Sequence, residues 1–190
     1  MPLSLAELAS RQNRLDPLAR ELDKGLTAAH DRLGPRGDTI ASWLHGDPLG
    51  HPLHVMLTDV PLGAWTTAAV FDRLAGKQAR QPWAAAARGA IAVGIVGALG
   101  AAVAGLADWH RLGLAETRRI GLVHATGNVL GLAAFTVSFF RRRRAGAGRR
   151  SALVGYALAI ASAQLGGSLV YEHGAGRRGR AAAEAHEPAA

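Results

Sequence analysis

Residues 89–107 read GAIAVGIVGALGAAVAGLA and contain no charged side chain. Two more apolar runs follow, one over 120–140 with His124 as its ionisable group, the other over 151–171. Each is close to the roughly 20 residues that cross about 30 Å of hydrocarbon as a helix. A helix of a soluble bundle shows a polar face at helical spacing, and these runs do not. The sequence therefore predicts membrane-spanning helices.

A further span is predicted just before these three, although His54, Asp59 and Pro61 interrupt it. The predicted fold is all-α, an integral membrane four-helix bundle over 51–175 preceded by a short amphipathic helical arm. The arm covers 1–50 and ends in a Gly/Pro-rich turn, and a disordered tail is predicted over 176–190. The four spans are predicted at about 53–72, 88–108, 120–140 and 151–171.

The charges favour a membrane surface over nucleic acid as the partner. The chain carries 22 Lys and Arg against 14 Asp and Glu, a net charge of +8. Six arginines cluster within 141–150, between two apolar runs, as in a cytoplasmic loop beside anionic lipid. We therefore expect the lipid bilayer, and no nucleic acid, as a partner.

Basic residues also predict the orientation. Ten lie at the end of the bundle that holds the two hairpin loops, and seven lie at the other end. This difference favours cytoplasmic loops and extracytoplasmic termini. The bias toward Ala, Gly and Arg is typical of a GC-rich bacterial genome. The predicted location is the bacterial inner (plasma) membrane, as a multi-pass protein.

The arm carries helix signals of its own. Ser4 followed by Glu7 predicts a capping box. Beyond it, leucines at spacings of three and four form one narrow apolar stripe, at Leu15, Leu18, Leu22 and Leu26. The stripe is compatible with a helix lying on the membrane or the bundle. A helix that docks a partner or dimerises, giving a homo-oligomer, is the alternative.

The histidines are segregated. With four antiparallel crossings, six of them fall at one end of the bundle: His45, His51, His54, His110, His124 and His173. Asp59 and Asp108 fall there too. Ionisable groups inside the hydrocarbon are expensive and indicate function. This end is therefore where we predict a site.

Two predicted faces would meet there. His124 and Asn128 are one turn apart on the third span, and Asp59 shares a face with Gly63 and Thr66 on the first. Directed inward, these faces would form a polar pocket in which Asp59 lies near His54 or the third span. Histidines that cap helix ends and bond free backbone groups are the structural alternative.

Imidazoles on two spans are suited to a haem or a metal ion. His54 and His124 are the predicted haem b ligands, with Asn128 and His51 as supporting groups. A metal ion would instead draw its ligands from His51, His54, Asp59 and His124. Cysteine is absent, which excludes disulfides, thiolate clusters and a Cys nucleophile. No nucleophile–base motif is present, so we expect a redox subunit with no enzymatic activity of its own.

One stretch carries a family resemblance. Residues 43–54, WLHGDPLGHPLH, continue through LTDVPLGAW at 57–65, and GLADW at 105–109 and GLVHA at 121–125 follow. These motifs resemble the bacterial membrane family DUF2231 over nearly the whole chain. The resemblance implies the membrane fold and leaves the function open. Some members resemble this chain followed by a Rieske iron–sulfur domain, which implies redox partners. Ending at Ala190 and lacking Cys, this chain is expected to have no such domain.

Three functions follow as hypotheses. The first is a membrane subunit that holds haem b, or a metal ion, through His54 and His124, and passes electrons between a quinone and a redox partner protein. The second is a scaffold or regulatory membrane protein without a cofactor, whose histidines stabilise a polar outer pocket. The third is a small transporter.

Overall fold

The computed structural model describes residues 3–76, 82–142 and 147–175, and every regular element in these ranges is helical. The arm and the bundle together form α1 (Leu5–Ser10), α2 (Asp16–Leu33), α3 (Pro35–His45), α4 (Leu53–Ala75), α5 (Pro82–Ala107), α6 (Ala115–Arg141) and α7 (Arg149–Tyr171). Short 3-10 turns lie at Asn13–Leu15, Asp47–Leu49 and Asp108–Arg111. The predicted tail over 176–190 lies outside the described residues.

Three of the described helices are long and apolar enough to cross a membrane: α5 with the turn after it, α6 and α7. α4 has 23 residues but carries His54, Asp59 and Thr66, and it is not among the three. It nevertheless packs along most of α5. His54 contacts Ala101 near one end, and the Phe71 ring lies 5.6 Å from that of Trp83 near the other.

The four long helices form two antiparallel hairpins, α4 with α5 and α6 with α7. The hairpins pack with α5 against α6 and α4 against α7. In the interior, side chains of α4 and α6 meet, and the Trp65 and Phe135 rings stack with centroids 3.9 Å apart. Ile91 and Ala152 complete this core from α5 and α7. The interior is therefore aromatic at mid-length, with polar residues at both ends.

The two hairpins are an internal repeat, which the sequence motifs did not indicate. Interior residues of α4 have counterparts 70 positions later in α6, and those of α5 have counterparts 61 positions later in α7. The α4 and α6 counterparts are His54/His124, Pro61/Gly131, Trp65/Phe135, Ala68/Ser138 and Asp72/Arg142; those of α5 and α7 include Gly94/Gly155, Ala101/Ser162 and Gly105/Gly166. Three α4 residues contact their own counterparts, as in a two-fold interface.

The arm packs against the end of the bundle where the histidines lie. Ala6 and Ala9 of α1 are buried against Ile120 and Leu165 of the bundle. The α2 stripe packs on Trp109 and Leu122 through Leu15, Leu22 and Leu26, whereas Leu18 is exposed. Of the two interpretations left open, the structure has the helix lying on the bundle.

An ion pair between Arg119 and Asp16 holds the first part of the arm against α6. Arg119 donates to both carboxylate oxygens of Asp16, at 2.6 and 2.9 Å, and to the Ser10 carbonyl at 2.8 Å. These hydrogen bonds lower the pKa of Asp16 below its ordinary value, against a smaller opposing effect of desolvation. The arm is therefore attached by a bidentate pair as well as by apolar contact.

Candidate functional site

His54 lies in the first turn of α4 and is partly buried against α5. Its Nδ1 atom is 2.7 Å from the carbonyl oxygen of Ala101. Gly105 lies one turn further along α5, and a Cβ atom built there would be 2.8 Å from the same Nδ1. The imidazole can therefore rest on the α5 backbone only because residue 105 has no side chain.

His124 repeats this arrangement in the second hairpin. Its Nδ1 atom is 2.7 Å from the carbonyl oxygen of Ser162 on α7. A Cβ atom at Gly166, again one turn further along, would be 2.9 Å from its Cε1 atom. Each hairpin thus holds one imidazole by the same two features, a backbone acceptor and a glycine four residues after it.

The two imidazoles face each other between the hairpins. Their centroids are 6.1 Å apart, and the ring planes are nearly perpendicular at 87°. A carbonyl oxygen can only accept a hydrogen bond, so each Nδ1 carries the proton. In the neutral ring, each Nε2 then keeps a lone pair that can accept a hydrogen bond or bind a metal.

Asn128 contacts the imidazole of His124 directly. Its amide Nδ2 lies 3.0 Å from Nε2 of His124, so it donates to the nitrogen that would act as a ligand. Because the Asn128 side chain is exposed, it has room to rotate away. The predicted one-turn proximity is confirmed, and the amide caps the lone pair of His124 rather than a cofactor substituent.

The prediction that Asp59 faces the bundle interior was wrong. α4 buries the face that carries Pro61, Trp65 and Ala68, and His54 lies on the same side. Asp59 is five residues after His54, a rotation of about 140° at about 100° per residue. Its side chain is therefore exposed on the outer face, together with Gly63 and Thr66. It does not join the histidine pair.

His51 lies outside the pair as well. It is exposed, and its Nδ1 is 3.2 Å from the carbonyl oxygen of Leu49 in the predicted turn. That turn is tight: Gly46 has φ of 80°, and a Cβ atom there would be 2.0 Å from the His51 carbonyl oxygen. Among the proposed metal ligands, only His54 and His124 are brought together.

A second histidine contact was not predicted from the sequence. The turn directs His45 toward Asp108, where its Nδ1 lies 2.8 Å from the carboxylate. Next to it, Arg111 donates to both oxygens of Asp47, at 2.9 and 3.0 Å. These pairs join the end of α3 to the end of α5. The clustering of ionisable residues at this end was predicted, but its pairing was not.

Across the described ranges, no group of three or more His, Cys, Asp or Glu side chains is placed to hold a metal ion. The site therefore offers two imidazole nitrogens. The sequence could have revealed the supporting glycines through the internal repeat. Gly94 and Gly105 are 11 residues apart, as are Gly155 and Gly166, which matches the spacing between His54 and Trp65.

Comparison with known families gives one match. The model of DUF2231, described as a predicted membrane protein, matches residues 50–179. Because this range covers more than half of the chain, the protein belongs to that family, as its motifs suggested. Comparison with curated proteins and with solved structures gave no match.

Proposed function

We propose that this DUF2231 protein is a membrane subunit that holds one haem b between His54 and His124. The observation that carries the proposal is the facing pair of imidazoles, each with its Nδ1–H donated to a backbone carbonyl at 2.7 Å. Histidines that bind metals almost always donate the other ring N–H in this way, which fixes the tautomer and the ring orientation. The pair has this feature on both sides.

The separation of the rings supports an ion between them. Two imidazole nitrogens that bind one metal at about 2 Å on opposite sides hold their ring centroids about 6 Å apart. The observed separation is 6.1 Å. When bound, haem b would supply one-electron redox chemistry whose potential depends on its axial ligands and their hydrogen bonds.

The number of ligands favours haem over a bare ion. A bare transition metal in a protein takes four or more ligands from the chain and from water. Haem iron obtains four nitrogens from the porphyrin and needs only two axial ligands. Because the described residues bring two imidazoles together and no third ligand, a porphyrin fits this donor set better.

The surroundings of the pair suit a redox centre in a membrane. α4 would be the fourth span, since it packs along the apolar α5, and the arm would shield the histidine end from water. Basic loops at the opposite end favour extracytoplasmic termini in a bacterial inner membrane. The subunit would exchange electrons with a quinone or a redox partner protein. Exposed Asp59 on α4 supports association with another helix, from such a partner or from a second copy.

A scaffold without cofactor is the alternative, and one observation favours it. Both Nδ1 atoms, and Nε2 of His124, already have hydrogen-bond partners within the protein. In this alternative the pair would only tie the two hairpins together. The two functions differ in whether the purified protein binds haem.

The test is an absorption spectrum of purified protein expressed with ample haem. We expect a Soret band that is lost in His54→Ala and in His124→Ala but kept in His51→Ala, since His51 lies outside the pair. A wild-type protein without the band, together with lower resistance to unfolding in the two pair variants, would establish the scaffold instead. A metal assay on the same sample identifies a bare ion.

A further inference from the structure

A cavity at the other end of the bundle breaks the internal repeat. It has a volume of about 180 Å³ and lies in the seam between α4 and α7. The stacked rings of Trp65 and Phe135 contribute to its wall, together with Ala69 and Ala152. Polar groups in the wall come from Asp72, Arg73, Arg149 and Tyr156.

The equivalent seam between α5 and α6 has larger residues at these positions. The counterpart of Ala69 is Phe139, and the counterpart of Ala152 is Ile91. Both belong to the packed interior, and the guanidinium of Arg88 lies 4.4 Å from the centroid of the Phe139 ring. The smaller side chains of Ala69 and Ala152 therefore leave space in the α4–α7 seam, whereas Phe139 and Ile91 fill the α5–α6 seam.

The polar groups of the cavity are held in place. Arg149 donates to the carbonyl oxygen of Gly76, and its Nε lies 3.5 Å from Asp72. The hydroxyls of Tyr156 and Thr66 are 2.9 Å apart. Because the Thr66 hydroxyl donates to the Leu62 carbonyl, the Tyr156 hydroxyl donates to Thr66 and keeps its oxygen as an acceptor. The cavity thus combines an apolar, aromatic interior with a guanidinium donor and a hydroxyl acceptor at fixed positions.

We propose that this cavity binds the ring of a quinone or quinol. In another protein, an apolar cavity of about 150 Å³ accommodates benzene, so a single substituted ring fits here. The stacked aromatic pair suits a flat ligand, Arg149 can donate to a carbonyl oxygen of the ring, and the Tyr156 oxygen can accept from a quinol hydroxyl. The electron-transfer role of such a ligand depends on the proposed haem function, whereas its binding does not.

The experiment uses a variant that keeps Trp65 as its single tryptophan and a benzoquinone with a decyl tail. Quinones quench indole fluorescence on contact, so we expect saturable quenching. Ala152→Ile, which copies Ile91, and Ala69→Phe, which copies Phe139, should each weaken binding at least tenfold. Ala69→Val is the milder substitution should either of these fail to fold.

Two control variants separate ring binding in the cavity from quenching elsewhere on the protein. Ala92→Leu places the side chain of its α7 counterpart, Leu153, at a partly buried position of α5, which contributes no residue to the cavity wall, and it should leave binding unchanged. His124→Ala should also leave it unchanged, so that binding is measured whether or not the protein holds haem. The assignment would be overturned if Ala152→Ile and Ala69→Phe bound the quinone as tightly as the parent variant. It would also be overturned if decanol competed as well as a quinone, because the cavity would then accept alkyl chains.

Discussion

The two glycines beneath the histidine pair provide a sharp test of the site. In Gly105→Ala, the new Cβ would be 2.8 Å from Nδ1 of His54, about 0.6 Å short of the 3.4 Å at which ordinary contacts begin. In Gly166→Ala, the corresponding distance to Cε1 of His124 is 2.9 Å, about 0.5 Å short. Each ring must therefore move away from the helix that holds it.

Movement by this amount would stretch each 2.7 Å hydrogen bond to the long end of the N–H···O range and weaken it. Loss of a partly buried hydrogen bond costs about 1–3 kcal/mol, and overpacking costs a similar amount. The gain in helix propensity from Gly to Ala offsets about 1 kcal/mol of this. We expect each variant to lose about 1–5 kcal/mol of unfolding free energy.

Gly167 is a matched control because it is adjacent to Gly166 in α7 and a Cβ there meets nothing within 4 Å. Gly167→Ala should be neutral or stabilising by up to about 1 kcal/mol. The assay is reversible unfolding in mild detergent titrated with sodium dodecyl sulfate, followed by helix content. If Gly166→Ala and Gly167→Ala had the same effect, the His124 ring would not rest on Gly166.

Two further predictions concern charged pairs. Asp72→Ala should cost about 3–5 kcal/mol of unfolding free energy, because Arg142, whose side chain is 6% exposed, loses the carboxylate that it contacts at 2.5 and 2.6 Å. The control is Glu21→Ala, which breaks the exposed pair with Lys24 and should cost about 0–1 kcal/mol in the same assay. Equal losses in the two variants would contradict the prediction. The pKa of Asp16 is lowered in the folded protein, so its bond to Arg119 stabilises the docked arm at pH values above the ordinary aspartate pKa of about 4. This stabilisation is lost as the pH falls through the lower pKa of the folded state. Trp109 is buried under the arm, so its fluorescence should shift to longer wavelength in that acid range. Asp16→Asn should remove this transition. An unchanged transition in the variant would exclude Asp16 as its origin.

The helices and the polarity of the bundle were predictable from the sequence because both follow from local patterns. Apolar length predicted α5, α6 and α7, and the distribution of His and Arg predicted which end would be polar. The outward direction of Asp59 was not predictable by the rule applied, which assumes that a carboxylate in a span avoids lipid. The burial of α4 is decided instead by His54, Trp65 and Ala68, which leave Asp59 outside.

The supports of the histidine pair depend on contacts between distant residues. Ala101 and Ser162 take part through their carbonyl oxygens, so their side chains give no sign of it. Gly105 lies in a helix rich in Gly and Ala, and Gly166 is adjacent to a second glycine, so neither is conspicuous in the sequence. Only the structure shows that a ring rests on each of them, and this information lies in the pairing of helices rather than in either helix alone.

The substitution of Arg142 for Asp72 at counterpart positions decides which hairpin can join which. If the α4–α5 hairpins of two chains met as the two hairpins of one chain do, Asp72 would face a second Asp72. Two α6–α7 hairpins would likewise bring Arg142 against Arg142. Like charges close together in a buried setting repel strongly. Each hairpin therefore selects the unlike hairpin during assembly, so two hairpins of similar geometry form a directed pair in which neither can replace the other.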